Sequence, residues 1–175
     1  MTESEAVADA VAEAVAEARR LFLDEANGYG CAETTFTVLV GAFGLPDRSD
    51  SSVAMAMNGG VAYSGGTCGA LTGAAMALGL LANGRIADRP VAKRTARRIA
   101  ARLIDAFEEE HGSSSCRELI GTDLRTDEQH RAFIESGAWR EGCMRQVEFA
   151  VRRLAPLADE ASWDRILREL DEPRP

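Results

Sequence analysis

Several things are scarce in this chain, and each scarcity removes a class of function. The 175 residues include no apolar run near the roughly 18 residues that a membrane-spanning helix needs; the nearest, Ala70 to Ala82, is short and broken by Gly73 and Gly79. Positive charge is outnumbered, with 20 Lys and Arg against 28 Asp and Glu, a net charge of -8 and a pI near 4.9. Nucleic-acid binding draws on cations meeting phosphates, so such a partner is not expected. The N-terminus has neither the basic nor the apolar region of a secretory signal and carries Glu3, Glu5 and Asp9, so the cytoplasm is the expected compartment. No C-x-x-C-H is present, which excludes covalent haem by that pattern, and no C-x-x-C marks a zinc knuckle or a ferredoxin loop. G-x-S-x-G and H-E-x-x-H are also missing, so a hydrolase has no support.

What is present is helical pattern. Val7, Val11, Val15, Ala18 and Phe22 recur at steps of three or four and mark a first helix over about 3–22. After a turn at 27–30, an apolar helix is expected over 31–43, stopped by Gly44 and Pro46. A short helical piece over 51–57 leads into a glycine-rich loop, then a thin helix over 68–81 with Leu71, Ala74, Leu78 and Leu81 on one face. Asp88, Pro90 and Gly112 bracket a long helix whose inner face is Val91, Thr95, Ile99, Leu103 and Phe107. Brief helices follow over 116–120 and from Thr126, with Gln129 completing a capping box, to Gly137; others cover 143–154 and the Trp163 to Leu170 segment, before a polar tail. There is no hairpin signal and no repeat of fixed period. The fold class is all-α: one domain over 1–175, a bundle of about six to eight helices.

The four cysteines carry the chemistry. Cys31, Cys68, Cys116 and Cys143 each fall at a predicted helix start, behind Gly30, Thr67, Ser115 and Gly142. Unpaired N–H groups and the helix dipole there favour an anion, and such a site can bring a thiol from about 8.5 down to roughly 3.5 to 7.5. Disulfides in a reducing compartment are usually transient, catalytic or sensing. The bland alternative, cysteine as a small buried hydrophobe, holds for any one of the four taken alone. It is weaker for four in one local context.

Other residues are weighed against plainer roles. The loop 58–69 lacks the G-K-[ST] ending of a phosphate loop and follows no strand, so a tight turn and clearance around Cys68 are its expected roles. Tyr63 is expected to pack on that loop or shield a site. His111 and His130 are further ligand or proton-donor candidates, with solvated helix ends the favoured reading. Glu108, Glu109 and Glu110 read as a solvated run, and Asp123 as a turn cap.

Four segments together resemble one family: GYGCAETTFTVLVGAFG, GGVAYSGGTCGALTGAAMALGLL, SCRELIGTD and GCMRQVEFAVRRL. They are similar to the C_GCAxxG_C_C family of redox-active proteins, whose C-G-A-x-x-G motif is matched by Cys68, Gly69, Ala70 and Gly73 among single cysteines. The resemblance covers 27–154, leaving a first helix over 1–26 and a last helix and tail over 155–175 outside it. It implies a small helical redox protein.

On this reading Cys31, Cys68, Cys116 and Cys143 are the catalytic residues and also the metal ligands, with Gly66, Gly69 and Gly73 as cofactor-binding residues. The sulfurs hold an iron–sulfur cluster or another thiophilic metal, or cycle as disulfides, in electron transfer or thiol redox chemistry. The expected partner is a redox protein, a small thiol or a metal, and the amphipathic first helix suits a homodimer. The alternative is a non-redox helical ligand-binding or interaction module whose cysteines only pack.

Overall fold

The structure is a computed structural model that describes residues 2–26, 28–45 and 50–171. Asn27 in the first expected turn, the stop at Pro46 and the end of the polar tail lie outside the described residues. Among those described are eight α-helices and no strand: α1 (Glu3–Leu23), α2 (Cys31–Ala42), α3 (Gly69–Arg85), α4 (Arg89–His111), α5 (Cys116–Ile120), α6 (Asp127–Ser136), α7 (Gly142–Leu154) and α8 (Glu160–Asp171). Three 3-10 segments, Ser51–Met57, Ala138–Arg140 and Ala155–Ala158, join them.

The centre of the bundle is the α2–α3 pair. From Ala32 to Val40 every α2 residue except Thr37 is buried, as expected of a helix apolar on nearly all sides. Facing it, α3 buries Leu71, Ala74, Leu78 and Leu81 on the expected stripe and continues four residues past the predicted end, to Arg85. Around this pair lie α1 and α7, in contact with each other and with α2, and α4, which packs on α3 and α8.

The inner face of α4 is Ala92, Thr95, Ile99, Leu103 and Phe107; Val91, expected there, is half-buried. The α4 ends are as the sequence implies, with Asp88 accepting from the Val91 N–H at 2.8 Å and Gly112 in the left-handed conformation at φ 84°. In α1 the buried residues are Ala14, Val15, Ala18, Leu21 and Phe22, while Val11 is half-buried against the core and Val7 is half-buried nearer the N-terminus. No described helix is long and apolar enough to cross a membrane.

Candidate functional site: four cysteines at four helix starts

Each cysteine stands at a helix start. Cys31 and Cys116 are the first residues of α2 and α5, Cys68 caps α3, and Cys143 is the second residue of α7. Two of these starts are strapped together by backbone. The Cys68 N–H donates to the Ser114 carbonyl at 2.8 Å, the Cys116 N–H to the Gly66 carbonyl at 2.7 Å, and Thr67 and Ser115 form an isolated antiparallel bridge.

A third start is brought in by the glycines of the C-G-A-x-x-G segment. A Cβ on Gly69 would lie 2.3 Å from the Cys31 sulfur, and one on Gly73 would lie 2.3 Å from the Ala32 carbonyl oxygen. These two residues share one face of α3, so their bare backbone is the seat into which the α2 N-terminus settles. Gly69 and Gly73, expected beside a cofactor, are thus occupied in bringing Cys31 up to Cys68, and Gly66 supplies a carbonyl to the strap.

The loop before Cys68 is bent against its natural hand. Gly59, Gly60, Val61, Ala62 and Tyr63 all have positive φ, at 63°, 75°, 63°, 52° and 57°. A left-handed turn costs an L-residue roughly 1–2 kcal/mol, and a β-branched valine is an outlier there. Closure holds it: Ala62 N–H donates to the Ala56 carbonyl at 2.7 Å, and Gly66 N–H to the Gly60 carbonyl at 3.1 Å. The turn lays Tyr63 over the site, its ring 4.5 Å from that of His130 on α6.

The thiols do not titrate as their helix starts suggest. Burial pushes all four up, Cys116 to about 12, Cys68 well above its ordinary value, and Cys31 and Cys143 in the same direction. The N–H groups of Gly59, Ala32, Cys31 and Gly69 face the Cys31 sulfur and oppose the shift, but desolvation is larger. The lowering expected from the dipole is therefore overturned: a helix start favours a thiolate only where water or another charge helps to carry it.

Charge on any one sulfur is felt by the others. A negative Cys31 raises Cys68, Cys116 and Cys143; Cys116 raises Cys68 and Cys143; and Cys143 raises Cys68, so all six pairs interact. Four thiolates cannot share this site without compensating positive charge, whereas neutral thiols, disulfides or metal-bound thiolates can. No group of three or more His, Cys, Asp or Glu among the described residues is drawn in tightly enough for a metal ion. A lone ion at about 2.3 Å from each sulfur asks for a tighter set than this. A 4Fe–4S cluster spreads four thiolates over four irons and a 2Fe–2S cluster shares them two to an iron, and all-cysteine donors are the usual set for both.

Above the sulfurs lies a cavity of about 800 Å³, onto which Cys31, Cys116 and Cys143 open. Cys68, 2% exposed, sits beneath, its sulfur 3.5 Å from Gln146 Oε1. His130 and Tyr63 line this cavity. His111 does not; it packs on Phe107 and Phe149, half-buried, and burial holds its pKa low. It lies outside the lining of this cavity and is not the solvated helix end expected. Glu108 to Glu110 are exposed as expected, and Asp123 accepts from the Arg125 N–H at 3.0 Å as a turn cap while pairing with Arg117 and Arg125.

Sequence reasoning missed Glu33 and Asn58. Asn58 Oδ1 accepts from the Ala32 N–H at 2.9 Å, its Nδ2 donates to Glu33 Oε2 at 2.8 Å, and that oxygen also takes the Gly30 N–H at 3.0 Å. Asn58 thereby caps α2 from another part of the chain, in the space a side chain at Gly30 would fill. The Gly30-x-x-Glu33 spacing carried half of this signal, a capping glutamate at N3; Asn58 carried none.

Residues 29–157 match the model of a family described as "Putative redox-active protein (C_GCAxxG_C_C)". The chain belongs to the C_GCAxxG_C_C family. The match spans all four cysteines and both glycines that seat Cys31, and it leaves out all of α1 and all of α8. No curated protein and no solved structure matches significantly. For the family as a whole, redox activity is the stated character.

Proposed function

We propose that this protein is an electron-transfer or thiol-redox protein whose four cysteines together bind one iron–sulfur cluster, serving a redox partner protein. The observation that carries this is that charge on each of the four sulfurs acts on the other three, with the thiols held protonated unless positive charge arrives. Iron supplies that charge and makes thiolates of them outright, and four N–H groups already face the Cys31 sulfur. Four cysteine donors with no other ligand type among them are the usual set for such a cluster.

A second reading is disulfide cycling. It is favoured by the Cys31 sulfur lying against the Cys68–Gly69 backbone. Oxidation of that pair would form one S–S bond with release of two protons and two electrons to the partner.

The test is anaerobic purification, a visible spectrum, and iron, zinc and sulfide per chain. A brown protein with iron and sulfide, losing both on single Cys→Ser changes at any of the four positions, is the expected result. A protein colourless and metal-free after reconstitution with iron and sulfide overturns the cluster. A thiol count falling with oxidant then supports cycling, and an unchanged count leaves cysteines that only pack.

A further inference from the structure

We infer that the cavity over the sulfurs is a binding site for a flat organic cation, a positively charged aromatic ring system of drug-like size. Its volume of about 800 Å³ is within the range of small-molecule sites. Aromatic rings line it: Phe22, Tyr29, Tyr63, Phe133 and Trp139. The charged side chains on its walls are Asp24, Glu25, Glu33 and Glu135 against one arginine, Arg140, and His130 adds an imidazole.

That one arginine shows which chemistry the walls accept. The guanidinium of Arg140 is itself a flat cation, stacked over the Trp139 ring at 4.5 Å and paired with Glu25. Trp139 is held in turn by an edge-to-face contact with Phe22 at 5.4 Å and by its indole N–H on the Ile134 carbonyl at 3.2 Å. A ring cation entering the cavity meets the same aromatic faces and carboxylates, and Arg140 is its built-in competitor. An anion of the same shape meets carboxylates and π-faces, both repulsive.

The rim agrees with an opening for an outside molecule. The exposed large hydrophobic residues among those described are Val53, Met55, Val61, Tyr63 and Ile134. Met55, Tyr63 and Ile134 lie on the cavity itself, and the other two are two residues away in sequence. Binding rests on the cavity alone; that the ligand exchanges electrons rests on the redox reading above.

Equilibrium dialysis of methyl viologen, a flat dication, and anthraquinone-2-sulfonate, a flat anion, against the protein as purified without oxygen tests this. Metal is counted on the same samples, so failure to bind and failure to hold a cluster are separate results. One viologen per chain is expected, with little uptake of the sulfonate. Arg140→Gln should bind viologen roughly two- to fivefold tighter, the equivalent of one exposed cation–π or ion-pair contact. Arg94→Gln, an equal charge change on the remote helix α4, should not, and Trp139→Ala should weaken binding. Equal binding of the anion, no saturable uptake, or identical shifts in Arg140→Gln and Arg94→Gln overturn the inference.

Discussion

The two ends of α2 and α3 are built on different principles. Away from the sulfurs, Leu39, Leu78 and Val151 pack in a conventional helical core where shape is filled by aliphatic side chains. At the sulfur end the contacts are backbone against backbone: bare glycine under Cys31, a carbonyl strap between Cys68 and Cys116, and a left-handed turn over both. The first kind of packing tolerates exchange of similar volumes, and the second does not. What the difference teaches is that the core holds the bundle together, whereas the placement of the sulfurs depends on a few atoms with no freedom to move.

The largest way to expose that difference is pH. The thiols are held neutral by the fold with raised pKa values, but ionise in the unfolded chain near the ordinary 9.0. Unfolding therefore releases protons between about 9 and the folded value of about 12 at Cys116, and stability falls as pH rises through this window. Below 9 the contribution is fully present. Denaturant midpoints of the reduced, metal-free protein should fall over this window, and a Cys116→Ala, Cys143→Ala variant should fall less steeply. A metal-loaded protein should show the opposite dependence, losing metal as pH falls and protons compete for sulfur.

Within α3 the contrast reduces to two glycines. Gly73→Ala would set a Cβ 2.3 Å from the Ala32 carbonyl and should cost about 3 kcal/mol in denaturant unfolding, with the reactivity of Cys31 to a thiol reagent rising as α2 is displaced. Gly79→Ala, where nothing lies within 4 Å, should gain about 0.5 to 1 kcal/mol from helix propensity. Equal costs at the two positions would erase the distinction between the poles.

Asn58→Ala should cost about 2 kcal/mol, because the Ala32 N–H and Glu33 lose their partner together. The smallest effect is expected at the turn. Val61→Gly relieves a valine at φ 63° but adds freedom to the unfolded chain, for a net gain of about 0.5 kcal/mol by thermal or denaturant melts. A loss there would mean that Val61 holds the turn by contacts rather than bearing its strain.

Much of the fold was legible because helix boundaries are local. Asp88, Gly112, Thr126 and Gly137 cap the helices they were expected to bracket, since a cap needs only a side chain or a left-handed backbone a few residues from the N–H or carbonyl it serves. The placing of all four cysteines at helix starts followed from the same local signals. The cavity was not legible: Phe22 and Tyr29 come from one stretch and Phe133 and Trp139 from another more than a hundred residues away, and nothing in α1 announces that Phe22 meets Trp139 at 5.4 Å. Nor was the titration, since burial is a property of the assembled bundle and not of a helix start.

By itself the sequence determined an all-α chain with four cysteines at four helix starts, because helix period, caps and glycine positions act over a few residues at a time. Only the tertiary structure decided that those starts meet, that the thiols beneath the cavity stay protonated, and that Asn58 rather than a neighbour closes α2. Each of those depends on which surfaces exclude water from which, and that is settled when distant segments pack.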